Sequence, residues 1–150
     1  MDDRTGPGAE LISVRIGGQQ FALDIMAVRE IRGWTVSTPV PHAPSYVMGM
    51  INLRGVVLAV VDLGARLGLG VCTPDSSSVV VVAHINGVPV GLLVDAVCDI
   101  IQVTEDMVQP PPGVGTDEVR EFVQGIISTD DGIVTLLSLD QVLPTERAAA

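Results

Sequence analysis

The chain repeats itself, and this internal duplication constrains its fold more than any single motif. The two copies align at an offset of 69 residues in their first part and 76 in their second, so seven residues are inserted in the second copy around positions 111–120. Most matched positions are apolar, acidic, glycine or proline in both copies. The matches include 11–16 with 80–85, Glu30 with Asp99, Pro41 with Pro110, Gly49 with Gly125, Val60 with Leu136 and Leu63 with Leu139. A duplication of this length predicts two similar structural units.

Each copy has the pattern of about five short strands. It opens with a strand, turns at a glycine (Gly17-Gly18 or Asn86-Gly87) and continues into a second strand, as in a β-hairpin. A proline-rich connection then leads to a β-branched run, 56–61 or 133–137, followed by a short helical turn. The segments 24–31 and 94–101 have apolar spacing that fits either a strand or one or two helical turns.

We therefore predict an all-β fold of two five-stranded small β-barrels of the SH3 or OB kind, because a sheet of this size removes its edges by curling shut. The copies occupy about 10–70 and 78–145, and the polar spacer of six residues at 73–78 is too short for free tethering. The barrels should pack side by side as one domain, 10–145, with tails at 1–9 and 146–150. A strand at the boundary between copies is in position to be exchanged between barrels.

Composition argues against several classes of function. The chain has net charge −10, no lysine and only four aromatic residues, whereas nucleic-acid binding needs cations for phosphates and aromatic platforms for bases. Its apolar runs are far shorter than the roughly 18 residues of a membrane-spanning helix. The first residues lack the basic and apolar regions of an export signal, so we expect a cytoplasmic protein.

The sequence shows no constellation typical of catalysis or metal binding. The two histidines, His42 and His84, lie in a proline-rich connection and a strand, and the two cysteines, Cys72 and Cys98, form no CxxC pair. The glycine-rich run at 64–70 lacks the lysine of a phosphate-binding loop. We expect a protein that is not an enzyme and needs no cofactor.

Charge differs between the two copies where their cores agree. Residues 1–70 hold six acids and six arginines, whereas 71–150 hold twelve acids and two arginines. Arg54 aligns with Asp130, and Arg29 and Arg32 align with Cys98 and Ile101. Because arginine is enriched at protein interfaces, the first copy is the candidate binding surface. The alternative is that these arginines pair with acids of the second copy across the seam between barrels.

Four segments resemble the CheW-like domain family of bacterial chemotaxis. They read FALDIMAVREIR at 21–32, GMINLRG at 49–55, VVDL at 60–63 and GLLVDAV at 91–97, with Pro41 and Pro44 between the first two. The resemblance covers essentially residues 10–143. It implies a non-catalytic adaptor that joins the cytoplasmic tips of methyl-accepting chemoreceptors to the regulatory domain of the histidine kinase CheA, in arrays under the membrane.

The resemblance also implies binding residues. Receptor contacts would fall on Val28, Glu30, Gly49, Asn52 and Arg54, and the kinase or ring interface on Gln109, Pro112, Gly113 and Val114. Ring assembly with CheA regulatory domains would use this second loop, which lacks the basic and aromatic residues that some relatives carry there. Two alternatives are a small-ligand-binding barrel and an adaptor of another receptor-kinase pathway, such as twitching or gliding motility.

Overall fold

The computed structural model describes residues 9–70, 74–110, 122–130 and 132–142, and strands dominate them. The strands are β1 (Ala9–Ile16), β2 (Gln19–Asp24), β3 (Val28–Gly33), β4 (Val47–Leu53), β5 (Val56–Asp62), β6 (Val79–Ile85), β7 (Val88–Val94), β8 (Ala96–Val103), β9 (Val108–Gln109), β10 (Val123–Thr129) and β11 (Gly132–Leu137). Two short helices, α1 (Leu63–Arg66) and α2 (Leu139–Val142), follow β5 and β11. The all-β prediction is confirmed.

The segments with ambiguous spacing are mostly extended. In the first copy, a single 3-10 turn (Ile25–Ala27) precedes β3, and the side chain of Asp24 accepts a hydrogen bond from the backbone of Met26 to begin it. In the second copy, β8 starts almost directly after β7. Local apolar spacing did not distinguish these cases because a turn of three residues is shorter than the 3.6-residue period of a helix.

The strands form two sheets, and each sheet contains strands of both copies. The strand order is β8-β1-β2-β11-β10-β9 in one and β3-β6-β7-β5-β4 in the other. The hairpin that opens each copy therefore belongs to the sheet built from the later strands of the other copy. The sequence suggested exchange of one strand, and the structure exchanges a whole hairpin. One sheet has six strands instead of the predicted five because residues 108–109 form the short strand β9.

The pairing pattern nevertheless repeats between the sheets, as the duplication predicts. Val60 of β5 pairs in parallel with Gly91 of β7, and Leu136 of β11 pairs in parallel with Ala22 of β2. Val60 aligns with Leu136 at the offset of 76, and Ala22 aligns with Gly91 at the offset of 69. Val60 and Leu136 are both fully buried, as are Leu63 and Leu139 after them. The equivalent cores of the two sheets are confirmed.

One detail of the alignment is wrong. Thr38 forms a bridge with Met50, and Gln109 pairs with Ile126. Because Met50 and Ile126 are aligned, Thr38 corresponds to Gln109, and Pro39 instead of Pro41 corresponds to Pro110. The segment that leads from β3 to Thr38 is therefore two residues shorter than the equivalent segment before Gln109, and the offset there is 71 instead of 69. Within the described residues, backbone pairing does not close either sheet into a full barrel, and closure stays a prediction.

A central apolar layer joins the sheets into one body. It draws side chains from both sheets, among them Val14, Leu63, Val81, Phe122 and Leu139. Each sheet also encloses a smaller cluster of its own on its other face. Fully burying such a side chain stabilises the fold by about 1.5–3 kcal/mol, so this shared layer makes separation of the two sheets costly.

Candidate protein-binding site

The turn between β4 and β5 presents Arg54 at a rigid tip. Leu53 pairs with Val56, which leaves a loop of two residues, Arg54-Gly55, with φ of 53° and 88°. These angles are those of a type I′ turn, which favours asparagine and glycine. The side-chain oxygen of Asn52 accepts a hydrogen bond from the backbone N–H of Gly55 at 2.9 Å and fixes the turn. The Arg54 side chain is 67% exposed.

The Arg54 guanidinium is held by Glu30 of β3. Its Nη2 pairs with Oε2 of Glu30, and its Nη1 lies 3.5 Å from Oε1. Arg32 donates to the same Oε1 from 3.2 Å. Because β3 and β4 are the two end strands of the five-stranded sheet, this contact links one end strand to the turn that follows the other. We call Glu30, Arg32, Asn52 and Arg54 the Arg54 cluster.

Electrostatics keep the cluster ionised. The hydrogen bond from Arg54 holds the pKa of the Glu30 carboxyl below its ordinary value of 4.5, against the opposing effect of desolvation, and Arg32 adds to the lowering. In return, the carboxylate raises the pKa of Arg54. Two arginines share one carboxylate, so the Arg54 cluster carries one cation in excess.

The partners of these arginines decide between two interpretations of the sequence. Arg32 and Arg54 both pair with Glu30, which belongs to the same copy. The alternative in which they pair with acids of the second copy across the seam is therefore wrong for these two residues. Arg32 was not among the predicted binding residues, although its alignment with Ile101 marked the difference between copies.

Exposed apolar residues are neighbours of the Arg54 cluster in the sequence. Ile31 on β3 is 47% exposed, and Val56 and Val57 at the start of β5 are 49% and 59% exposed. Exposed aliphatic side chains beside an arginine match the composition of protein interfaces, where apolar area supplies the contact and arginine supplies direction. This combination can bind a helix or strand of a partner that offers a carboxylate beside apolar residues.

Two other predicted receptor residues have packing roles. Gly49 is buried, and a Cβ there would lie 2.6 Å from the carbonyl oxygen of Thr38 and 2.5 Å from Oγ of Ser37. Val28 is half-buried against the central apolar layer, and its N–H donates to the carbonyl of Ile25. The structure does not place either side chain in the Arg54 cluster, and a receptor contact by either residue stays a prediction.

The predicted kinase interface is described only at its first residue. Gln109 is exposed on β9, where it pairs with Ile126 of β10. Pro112, Gly113 and Val114 lie outside the described residues.

None of the described helices is long and apolar enough to cross a membrane. In the described ranges, no group of three or more acidic, histidine or cysteine side chains is arranged to hold a metal.

Comparison with known proteins decides the family. A family profile described as CheW-like domain matches residues 10–147. The chain belongs to the CheW-like domain family. The chemotaxis protein CheW of Rhizobium meliloti (strain 1021) is 49% identical over 146 residues, which span 97% of this chain and 94% of that protein. The probable chemotaxis protein CheW of Rhizobium etli is 48% identical over 142 residues, spanning 94% and 92%.

A solved CheW structure shares the architecture. The crystal structure of the scaffolding protein TtCheW from Thermoanaerobacter tengcongensis matches with a TM-score of 0.79 at 34% identity, over 89% of this chain and 85% of that one. The resemblance read from the sequence segments is thus confirmed, and CheW-like proteins closely similar to this chain are named as chemotaxis and scaffolding proteins.

Proposed function

We propose that this chain is a non-catalytic adaptor that couples the cytoplasmic tips of chemoreceptors to the histidine kinase CheA in a chemotaxis signalling array. Membership of the CheW-like family supports the scaffold role. The observation that carries the receptor contact is the Arg54 cluster, an exposed and charged tip held in one geometry, with exposed apolar residues as its neighbours in the sequence.

The receptor contact works by exchange of carboxylates. Glu30 orients the Arg54 guanidinium before binding, so little side-chain freedom is lost when a partner docks. A carboxylate on the receptor helix can then join or replace Glu30, while Ile31 and Val57 lie against the apolar face of the helix. Gly55 beside Arg54 has no side chain to hold the helix away.

The kinase uses a different surface. The positions implied by the family, Gln109 with Pro112, Gly113 and Val114, belong to the second copy, whereas the Arg54 cluster belongs to the first. Receptor and kinase can therefore bind at the same time. Recruitment to the inner face of the membrane follows from the receptor contact.

A pull-down with two separate baits tests this proposal. The baits are a receptor cytoplasmic hairpin and the CheA regulatory domain. Arg54→Asp places a carboxylate next to Glu30 and should weaken receptor retention at least about tenfold, as loss of an interface arginine does, while kinase retention is unchanged. Asp130→Asn, at the equivalent turn of the second copy, is the matched control and should retain both baits.

Two results would contradict the adaptor role. One is failure of the unaltered chain to retain either bait. The other is receptor retention by Arg54→Asp equal to that of the unaltered chain, since the Arg54 cluster would then have no part in receptor binding.

A further inference from the structure

The six-stranded sheet has a cavity at the place where the five-stranded sheet has the Arg54 cluster. Its volume is about 170 Å³. Side chains from β1, β8, β10 and β11 line it, among them Ser13, Arg15, Asp99, Ile101, Thr129 and Val134. All of these residues belong to the six-stranded sheet. Val134 lies on the face of this sheet that is turned away from the central apolar layer.

The other sheet shows that this cavity is not a general feature of the fold. Ser13, Thr129 and Val134 align with Val82, Leu53 and Leu58, which are all buried in the interior cluster of the five-stranded sheet. Each change between the copies replaces an apolar side chain with a smaller or more polar one. Loss of packed volume in a protein interior is destabilising, so three such changes around one space point to a use for that space.

The charged residues around the opening of the cavity also differ from the aligned residues of the five-stranded sheet. Glu30 and Arg54, which form an ion pair in the five-stranded sheet, align with Asp99 and Asp130, two acids that cannot pair with each other. Arg15 lies opposite Gln20 in the β1–β2 register, beside the cavity. In the described part of the chain, neither the Arg15 guanidinium nor the Asp99 carboxylate has an ion-pair partner.

A β-bulge in the pairing of β1 with β8 lies beside the cavity. The β1–β8 register shifts between Ile12 and Val14. At this shift the hydroxyl of Ser13 bonds to the backbone of β8: it accepts a hydrogen bond from the N–H of Asp99 at 3.0 Å and donates one to the carbonyl of Asp99 at 3.2 Å. Asp99 is therefore held in place by a buried side chain. In the five-stranded sheet the aligned residue is Val82 of β6, which cannot make these bonds.

We propose that this cavity binds a small zwitterion with a short aliphatic side chain, of the size of a small α-amino acid. Arg15 would pair with the carboxylate of the ligand and Asp99 with its ammonium group, while Ile101 and Val134 form the apolar wall. The volume supports this size, since an engineered cavity of about 150 Å³ in another protein holds benzene. A ligand with a single charge leaves either Arg15 or Asp99 without a partner.

Titration with L-valine, followed by amide chemical shifts in the full chain, tests the site. L-valine should shift the amides of Ser13, Asp99 and Thr129 and saturate them. Two analogues of the same shape lack one charge each: 3-methylbutanoate lacks the ammonium group, and isobutylamine lacks the carboxylate. Each should bind at least about tenfold more weakly, because one charge-assisted hydrogen-bonded pair is lost.

Variants that copy the first repeat complete the test. Thr129→Leu and Val134→Leu introduce the side chains of Leu53 and Leu58, fill the cavity and should abolish the shifts. Val134→Leu removes no hydrogen-bonding group, so it covers the case in which Thr129→Leu fails to fold. His84→Gln, at the position aligned with Arg15 in the other sheet, is the control and should bind L-valine normally.

Three results would overturn the proposal. The first is an absence of saturable shifts around the cavity. The second is unchanged L-valine binding in Val134→Leu. The third is binding of either singly charged analogue as tight as that of L-valine, which would exclude a zwitterion site. The receptor and kinase pull-downs use other surfaces, so their outcome is independent of this one.

Discussion

At the scale of single residues, Arg54 combines an unfavourable backbone conformation with a well-held side chain. Its φ is 53°, and the same turn position is occupied by Asn86 (φ 53°) in the β6–β7 hairpin and by Gly17 (φ 59°) in the β1–β2 hairpin. Asparagine and glycine tolerate this conformation, and arginine does so poorly. Residues that depart from the local backbone preference are common at functional sites, so this exposed arginine, oriented by Glu30, agrees with the binding role proposed above.

Arg54→Asn separates these two effects. Asparagine suits the type I′ turn better, so the midpoint of thermal unfolding should stay the same or rise although the ion pair with Glu30 is lost. Affinity for a receptor cytoplasmic hairpin should fall at least about tenfold. Calorimetry and a binding titration on the same sample measure both. A clear drop in the unfolding midpoint would show that Arg54 mainly stabilises the fold.

The same variant predicts a change in the titration of Glu30. The hydrogen bond from Arg54 is the main cause of the lowered pKa of this carboxyl, so in Arg54→Asn that pKa should move up toward 4.5. A carboxyl whose pKa is lower in the folded than in the unfolded state contributes stability above its unfolded pKa and loses it as pH falls through the folded one. The acid sensitivity of the unfolding midpoint below pH 4.5 should therefore be smaller in the variant. Carboxyl chemical shifts measured against pH give the Glu30 pKa directly, and an equal pKa in both proteins would contradict the pairing.

At the scale of strands, the two copies use the same device to start their second hairpin. A register shift falls between Val47 and Gly49 in one sheet and between Val123 and Gly125 in the other. At both glycines a neighbouring segment approaches closely: a Cβ on Gly125 would lie 2.4 Å from Cγ1 of Val108. The aligned glycines thus mark where the preceding segment approaches the strand closely, at 37–38 in one sheet and 108–109 in the other.

Gly49→Ala should destabilise the protein without removing any binding group. The added methyl meets the backbone oxygen of Thr38 at 2.6 Å, and a backbone atom has little freedom to move away. Overpacking of this kind costs about 1–3 kcal/mol of unfolding free energy. Gly33→Ala at the end of β3 has open space around it and should stay within about 0.5 kcal/mol. Urea unfolding measures both, and a Gly49→Ala variant as stable as Gly33→Ala would refute the packing role.

Strands and turns were predictable from the sequence because they depend on local signals. Apolar runs and the turn residues Gly17-Gly18 and Asn86-Gly87 identify the opening hairpins without reference to the rest of the chain. The short helical turn expected after 56–61 is α1, and the side chain of Asp62 accepts a hydrogen bond from the backbone of Ala65 at its start. Which hairpin joins which sheet was not predictable, because both copies have similar strands and the exchange depends on packing across the whole molecule. The same limit applies to Arg32, whose partner Glu30 is clear only once the side chains are placed.

At the scale of the whole molecule, one arginine breaks the symmetry at the seam between the sheets. The Arg66 guanidinium lies 5.1 Å from the ring centre of Tyr46 and 4.4 Å from that of Phe122. Its Nε donates to the carbonyl of Val142 at the end of α2, at 2.7 Å. At the offset of 76, Tyr46 aligns with Phe122 and Arg66 with Val142, so a single side chain joins equivalent parts of both copies. The aligned aromatic residues were a signal in the sequence that pointed to this seam.

Arg66→Met should loosen the seam between the sheets. Methionine keeps the apolar stem but removes two cation–π contacts and the hydrogen bond to Val142, a loss of about 1–3 kcal/mol in unfolding free energy. Arg29→Met, at an exposed position on β3, is the matched control and should be nearly neutral. Equal unfolding free energies for the two variants, from urea titration, would show that Arg66 does not stabilise the seam.

Simultaneous binding of receptor and kinase is the central claim of the adaptor function. The Arg54 cluster and the Gln109 region belong to different copies, so a receptor hairpin and a CheA regulatory domain should bind one chain together. The most direct measurement is a titration of the receptor hairpin into a preformed complex of this chain with the regulatory domain, followed by sedimentation velocity. We predict a new, faster-sedimenting ternary species with the regulatory domain retained. Release of the regulatory domain as the receptor hairpin binds would contradict the account.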